Sequence, residues 1–213
     1  MSDRPKALLA DLDGTIIDSK SFTVDSFVLT IKQECGIDIP WEKAAALFGV
    51  EARETFRRLA PPGADLDVLC RAQTVFQLAN LDRILVYPGV IDTLSRLRDA
   101  QIGRVVVTSR TANTNQVLRA TSLLGLFDHI ISGDDVLRHK PDPECVNVAL
   151  DKLRVPARLA YMMGDSRVDI QAGKRAGVPT VGVTWGHLGR KLNWSRPTHK
   201  IDQIQGLLPL FSL

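Results

Sequence analysis

Five short apolar runs, each followed by a polar exit and a segment of helical period, constrain the fold of this chain more than any other feature. They are Lys6–Ala10, Arg104–Thr108, Ile130–Ile131, Leu159–Met163 and Thr180–Val183. Periodicity alone does not separate such runs from pieces of buried helix. Strand is favoured by β-branching in Val105-Val106-Val107-Thr108 and by the Asp13-Gly14 and Gly164-Asp165 breaks at the ends of two of the runs. Between the runs lie stripes with helical spacing: Val90, Leu94 and Leu97; Val117, Leu118 and Leu124; Val146, Ala149, Leu150 and Leu153; and the segment from Ile170 to Ala176. Asp142 is the expected N-cap of the third stripe, with Pro143 at the first helical position. Strands alternating with helices form right-handed βαβ units. The expected fold is therefore α/β, a Rossmann-like parallel β-sheet core flanked by helices.

One region breaks the alternation. From Thr23 to about Asn80 no strand-like pattern occurs, Val24, Phe27, Val28 and Ile31 fall at helical spacing, and Leu47, Phe56 and Leu59 sit in segments of their own. Gly36, Pro40, Gly49 and Pro61-Pro62-Gly63 divide the region into about four helices. The chain is thus expected to form an α/β core domain from residues 1–17 and 87–213 and an inserted α-helical domain from residues 18–86. Ser19-Lys20 and Leu85-Val86-Tyr87 are the expected hinges.

Composition removes several function classes. With 213 residues, 45% hydrophobic and 24% charged, the chain can bury a core and is not of the disordered class. A net charge of +3 from 27 basic and 24 acidic residues is too balanced to argue for nucleic acid and suits a phosphorylated small molecule. Cys35, Cys70 and Cys145 are widely spaced and indicate neither a disulfide framework nor a zinc site, so a reducing cytoplasm is the expected setting. The polar start Met1-Ser2-Asp3-Arg4-Pro5-Lys6 precedes only a short apolar run, and no signal segment or membrane span is expected. Monomer and homodimer stay equally open.

Ligands of parallel α/β sheets bind outside the carboxyl ends of the strands, so the strand exits carry the chemistry. Asp11 and Asp13 leave the first run two residues apart, ahead of Gly14-Thr15. Carboxylates that close favour a proton or a bound cation, and Mg²⁺ is the hard divalent ion that takes carboxylates together with phosphate oxygens. A plain Asp-Gly turn has the same sequence. Thr108-Ser109 offer hydroxyl and backbone donors for a phosphate, as would an ordinary strand-to-helix turn. Lys140 stands just before a helix start, where an anion is favoured, although a solvated lysine reads identically. Asp165 could join Asp11 on a metal with Asp169 orienting the site, or the pair could simply cap a helix.

In this order, Asp11-Leu12-Asp13-Gly14-Thr15, Thr108, Lys140-Pro141 and Gly164-Asp165 with Asp169 make a set that resembles the haloacid dehalogenase-type (HAD) phosphohydrolase superfamily, in its branch with a helical cap inserted after the first strand. The resemblance implies Asp11 as nucleophile, forming an aspartyl-phosphate, and Asp13 as general acid and then base. It implies Thr108 and Lys140 on the phosphoryl group, where Ser109 stays a candidate from its place at the strand end alone. It implies Mg²⁺ held by Asp11, the main-chain carbonyl of Asp13 and Asp165, with Asp169 in support. Dehalogenating members lack an acidic residue at the position of Asp13, so phosphoryl chemistry is implied. Residues 18–86 would be a cap that closes over the site and selects the substrate.

Within that cap, Arg53, in Gly49-Val50-Glu51-Ala52-Arg53, is the candidate for the anionic end of a small phosphate ester, though an exposed helical arginine looks the same. Gly182-Val183-Thr184-Trp185-Gly186-His187 resembles the corresponding stretch of phosphoglycolate phosphatases and their close relatives; His187 could line the site or lie at the surface, and the surface is the favoured expectation. The leading expectation is a Mg²⁺-dependent phosphatase of a small phosphorylated metabolite of phosphoglycolate type. A β-phosphoglucomutase-like transfer on a sugar phosphate and a non-catalytic binding relative are the alternatives.

Overall fold

The computed structural model describes residues 4–111, 113–187 and 195–213. The chain divides into two compact units, Met1–Asp18 with Leu85–Leu213 and Ser19–Ile84.

The first unit is built on a parallel sheet. Its strands are β1 (Ala7–Ala10), β4 (Gly103–Val107), β5 (His129–Ile131), β6 (Ala160–Gly164), β7 (Thr180–Val183) and β8 (His199–Ile201), in the order β5-β4-β1-β6-β7-β8. β1 lies at the centre, with Leu9 in register with Val105 on one side and Met162 on the other. That position explains its unbroken apolar run, since every residue of β1 is buried. Leu9 packs in a core with Val105, Val107, Ile131, Val146, Ala149 and Met162. Truncating such a residue to alanine costs about 2–5 kcal/mol.

The flanking helices are α5 (Val90–Asp99), α6 (Thr114–Ala120), α7 (Glu144–Leu153) and α8 (Arg167–Arg175). The stripes Val90/Leu94/Leu97 and Val146/Ala149/Leu150 are buried against the sheet, whereas Leu153 is only partly so. Both expectations for the start of α7 shift by one residue: the helix begins at Glu144 and Pro143 is the N-cap, while Asp142, just outside, accepts the Glu144 amide at 3.0 Å.

The sequence does not announce β8. It is three residues long, half-exposed at the sheet edge and without an apolar run, so pairing with β7 alone makes it a strand. A second departure concerns the domain limits. β2 (Ile17–Asp18) and β3 (Leu85–Val86) pair antiparallel, which keeps these four residues with the α/β unit and moves its limits to Asp18 and Leu85.

The second unit contains α1 (Lys20–Cys35), α2 (Trp41–Ala45), α3 (Ala52–Leu59) and α4 (Leu66–Ala79). Gly36 ends α1 at φ +72°, a left-handed conformation that glycine adopts without strain. The Glu51 carboxylate accepts the Arg53 and Glu54 amides to start α3, and Asp65 accepts those of Asp67 and Val68 to start α4. Val24, Phe27, Ile31, Phe56, Leu59 and Leu69 form the core, with Phe27 and Phe56 edge to face at 5.0 Å. Among the described residues no helix is long and apolar enough to cross a membrane.

Candidate active site

The apolar β1 delivers Asp11 to the carboxyl end of the sheet, where its amide still bonds the Met163 carbonyl at 2.9 Å. The chain then turns within a few residues. The amides of Ile16 and Ile17 donate to the Leu12 carbonyl at 2.9 and 3.0 Å, and Gly14 sits at φ +86°. A Cβ on Gly14 would stand 2.6 Å from Asp165 Oδ2, so glycine is required here both for the turn and for the approach of Asp165. The Thr15 hydroxyl donates to Asp11 Oδ2 at 3.2 Å.

Lys140 reaches into this end of the sheet from the loop before α7. Its ammonium donates to Asp11 Oδ1 and Asp169 Oδ1, each at 2.6 Å, and to the Val107 carbonyl at 3.0 Å. It is therefore a buried, paired lysine and not a solvated one. Burial opposes its charge, but the two carboxylates outweigh that and hold the ammonium well above its usual range.

Asp169 lies in the first turn of α8, where its other oxygen, Oδ2, accepts the Ser166 hydroxyl at 2.5 Å and the Ser166 amide at 3.1 Å. This is a capping box, so Asp169 starts the helix and answers Lys140 at once. Asp165 is buried directly after β6, and one carboxylate oxygen from each of Asp11, Asp165 and Asp169 lies within 4.8 Å of the others. Burial first, then the charge of Asp169, raises Asp11 well above the usual carboxylate range; Asp165 adds to the rise and Lys140 opposes it.

Asp13 meets a cation of its own. Its carboxylate is gripped by Arg110, with Nε to Oδ2 at 3.0 Å and Nη2 to Oδ1 at 2.6 Å. It stands outside the three-carboxylate group. Burial disfavours the Arg110 charge, but Asp13 more than offsets it and raises the guanidinium above its ordinary value. Thr108 is buried after β4, and its hydroxyl oxygen accepts the Arg110 amide at 3.0 Å, while Ser109 is exposed.

Residues 8–183 match the family of haloacid dehalogenase-like hydrolases. The chain belongs to that family. It is 32% identical over 208 residues to pyrophosphatase PpaX of Bacillus velezensis, covering 96% of this chain and 95% of that one. It is 31% identical over 219 residues to phosphoglycolate phosphatase of Pseudomonas putida, covering 96% and 79% respectively. The solved structure of CbbY from Rhodobacter sphaeroides in complex with phosphate superposes with a TM-score of 0.84 at 25% identity, covering 98% of this chain and all of that one. The chain is thus a HAD-type phosphatase.

HAD phosphatases typically use a divalent metal, and the residues here fit one. Asp11 and Asp169 share the Lys140 ammonium, and with Asp165 they gather carboxylate oxygens within 4.8 Å of one another in a desolvated place. Asp11, Asp165 and Asp169 supply hard oxygen donors, the set that a dication such as Mg²⁺ prefers.

Two residues were not singled out from sequence or were misplaced by it. Arg110 was missed; the only signal was its position two residues after Thr108, which the hydroxyl-to-amide turn converts into an approach to Asp13. His187 is not at the surface. Its side chain is 11% exposed, with Nε2 3.4 Å from Asp18 Oδ1, because the Trp185–His187 segment lies against the turn after β1. Trp185 Nε1 donates to the Thr15 carbonyl at 3.1 Å, and a Cβ on Gly186 would meet the Gly14 carbonyl at 2.3 Å. Arg53 belongs to the helical unit, where it is exposed and ion-paired with Asp67.

Proposed function

We propose that this HAD hydrolase is a Mg²⁺-dependent phosphatase of a small phosphomonoester of phosphoglycolate type, working through an aspartyl-phosphate on Asp11. The observation that carries the reading is the convergence of buried Asp11, Lys140, Asp169 and Asp165 at the carboxyl ends of β1 and β6. Asp11 would be the nucleophile, and Lys140, bonded to Asp11 Oδ1, neutralises one of the two anions that must meet. Asp13 gives a proton to the leaving oxygen as the bond to phosphorus breaks. It then takes one from the water that attacks the phosphorus of the aspartyl-phosphate, returning phosphate and free Asp11. Thr108 and Ser109 stand at the exit of β4 to receive phosphate oxygens. Mg²⁺ would be held by Asp11, Asp165 and the Asp13 carbonyl, with Asp169 in support, and supplies neutralisation of the phosphate's charge.

Residues Ser19–Ile84 are read as a cap that excludes water and selects the substrate. The free thiols Cys35, Cys70 and Cys145 agree with a cytoplasmic setting. The similarity to pyrophosphatase PpaX favours inorganic pyrophosphate as a second substrate reading.

The test is phosphate release by the purified protein with Mg²⁺ on phosphoglycolate, pyrophosphate, other phosphomonoesters and sugar phosphates. Release that stops with chelator and returns with Mg²⁺ is expected. Isomerised sugar phosphate without release would give a mutase instead, and no turnover on any compound would overturn the enzymatic reading.

A further inference from the structure

Proton transfer by a carboxylate depends on where its oxygens point, and in Asp13 both are taken by one side chain. Arg110 meets them with Nε and Nη2, a two-pronged contact that sets the plane of the carboxylate as well as its distance. The arginine is anchored independently of Asp13 at its other polar groups. Its amide donates to Thr108 Oγ1 at 3.0 Å, its carbonyl accepts the Gly133 amide at 2.9 Å, and Nη1 donates to Asn113 Oδ1 at 3.0 Å. The Arg110 side chain is 10% exposed, so solvent does little to loosen the fork.

We propose that Arg110 is the positioning residue of Asp13: held by the loop after β4, its guanidinium fixes the rotamer and plane of the carboxylate that moves the proton in hydrolysis. This rests on the acid/base reading of Asp13 given above. Each carboxylate oxygen accepts more than one hydrogen bond, so an oxygen can face the leaving group while the fork stays closed. The Asp13 side chain is short and follows a strand into a tight turn, and among the described residues the arginine is the cation that grips both of its oxygens. Loss of the fork frees the carboxylate to rotate, and a displacement of ~1 Å in a reacting group can cost about 10²-fold in rate. A lysine supplies the charge but not the planar fork.

The test compares kcat/KM on an alkyl phosphate, whose leaving oxygen needs a proton, with p-nitrophenyl phosphate, whose leaving group does not. It uses the full chain with Mg²⁺ as wild type, Arg110→Ala, Arg110→Lys and Asp13→Asn. Arg110→Ala should lower the alkyl value about 10²-fold and the aryl value by less than about fivefold, with Arg110→Lys intermediate. Added guanidinium ion should return part of the alkyl activity to Arg110→Ala. Equal losses on both substrates, or no loss, would overturn the proposal. If Arg110→Ala fails to fold, Arg110→Lys carries the same comparison. Asp13→Asn separates the two levels of the argument: a variant that does not favour the aryl ester removes Asp13 as acid and this inference with it. An aryl-selective Asp13→Asn beside an indifferent Arg110→Ala removes the inference alone.

Discussion

In the α/β unit the side chain of Lys140 is 3% exposed and those of its partners Asp11 and Asp169 are 9% and 2%. In the helical unit Arg53 and Asp67 are 46% and 61% exposed, and Lys32 and Asp38 are 50% and 83%. Both units carry ion pairs, but only one takes them out of water. Burying charge costs more than a single ion pair returns, whereas exposed pairs cost little and contribute little. Charge is kept buried at the carboxyl end of the sheet, where the proposed chemistry needs it, and the helical unit keeps its ion pairs at the surface with its apolar core beneath.

This contrast can be broken by substitution, and the largest effect is expected at Asp11. Asp11→Asn should lose phosphate release by ~10³-fold or more while circular dichroism and melting stay close to wild type. Residual turnover near the wild-type rate would remove Asp11 as nucleophile.

Next is Lys140→Ala. Removing one member of a buried ionic group leaves the others uncompensated, so activity should vanish and stability should fall by about 3–5 kcal/mol in denaturant titration. A neutral effect on stability would mean that solvent reaches the carboxylates and that the contrast between the units is weaker than drawn.

Metal dependence gives a smaller, signed effect. Saturating Mg²⁺ should raise the melting temperature by several degrees, and Asp165→Asn should remove most of that rise. Asp11, raised by burial and by its acidic neighbours, adds a pH test in metal-free protein. Its folded value lies above its unfolded one, so between the two the native state binds more protons and stability falls as pH rises. Melting curves of wild type should show this slope above the ordinary carboxylate range, and Asp11→Asn should flatten it.

The smallest effects belong to the helical surface. Arg53→Ala and Glu54→Ala should each move the melting temperature by less than about 2 °C. A KM for Arg53→Ala within about twofold of wild type would leave that residue in its solvated pair with Asp67, while a large rise in KM would give it the substrate role considered from sequence.

Much of the architecture was readable because local rules suffice for it. Val105-Val106-Val107 is β-branched and buried, Val90, Leu94 and Leu97 share one helical face, and no strand interrupts α1 to α4. β8 was not readable, since a short polar edge strand has no pattern of its own. Asp11, Lys140, Asp165 and Asp169 were named from their places at strand exits; the fold gathers the three carboxylates within 4.8 Å of one another and bonds Lys140 to Asp11 and Asp169. Asp165 and Asp169 flank a helix start whose capping box is itself a local signal.

The sequence by itself determined the α/β alternation, the helical insertion and the residue types at each strand exit, because periodicity and turn chemistry act over a few neighbours. Only the tertiary structure decided which cation meets which carboxylate. Asp11 and Asp13 are two residues apart, yet one turns to Lys140, 129 residues away, and the other to Arg110, 97 residues away. The tight turn at Gly14 and the separate loops after β4 and before α7 part them. Such pairing depends on where distant backbone segments converge, and on how little water remains once they do, and neither is written in the spacing of the residues.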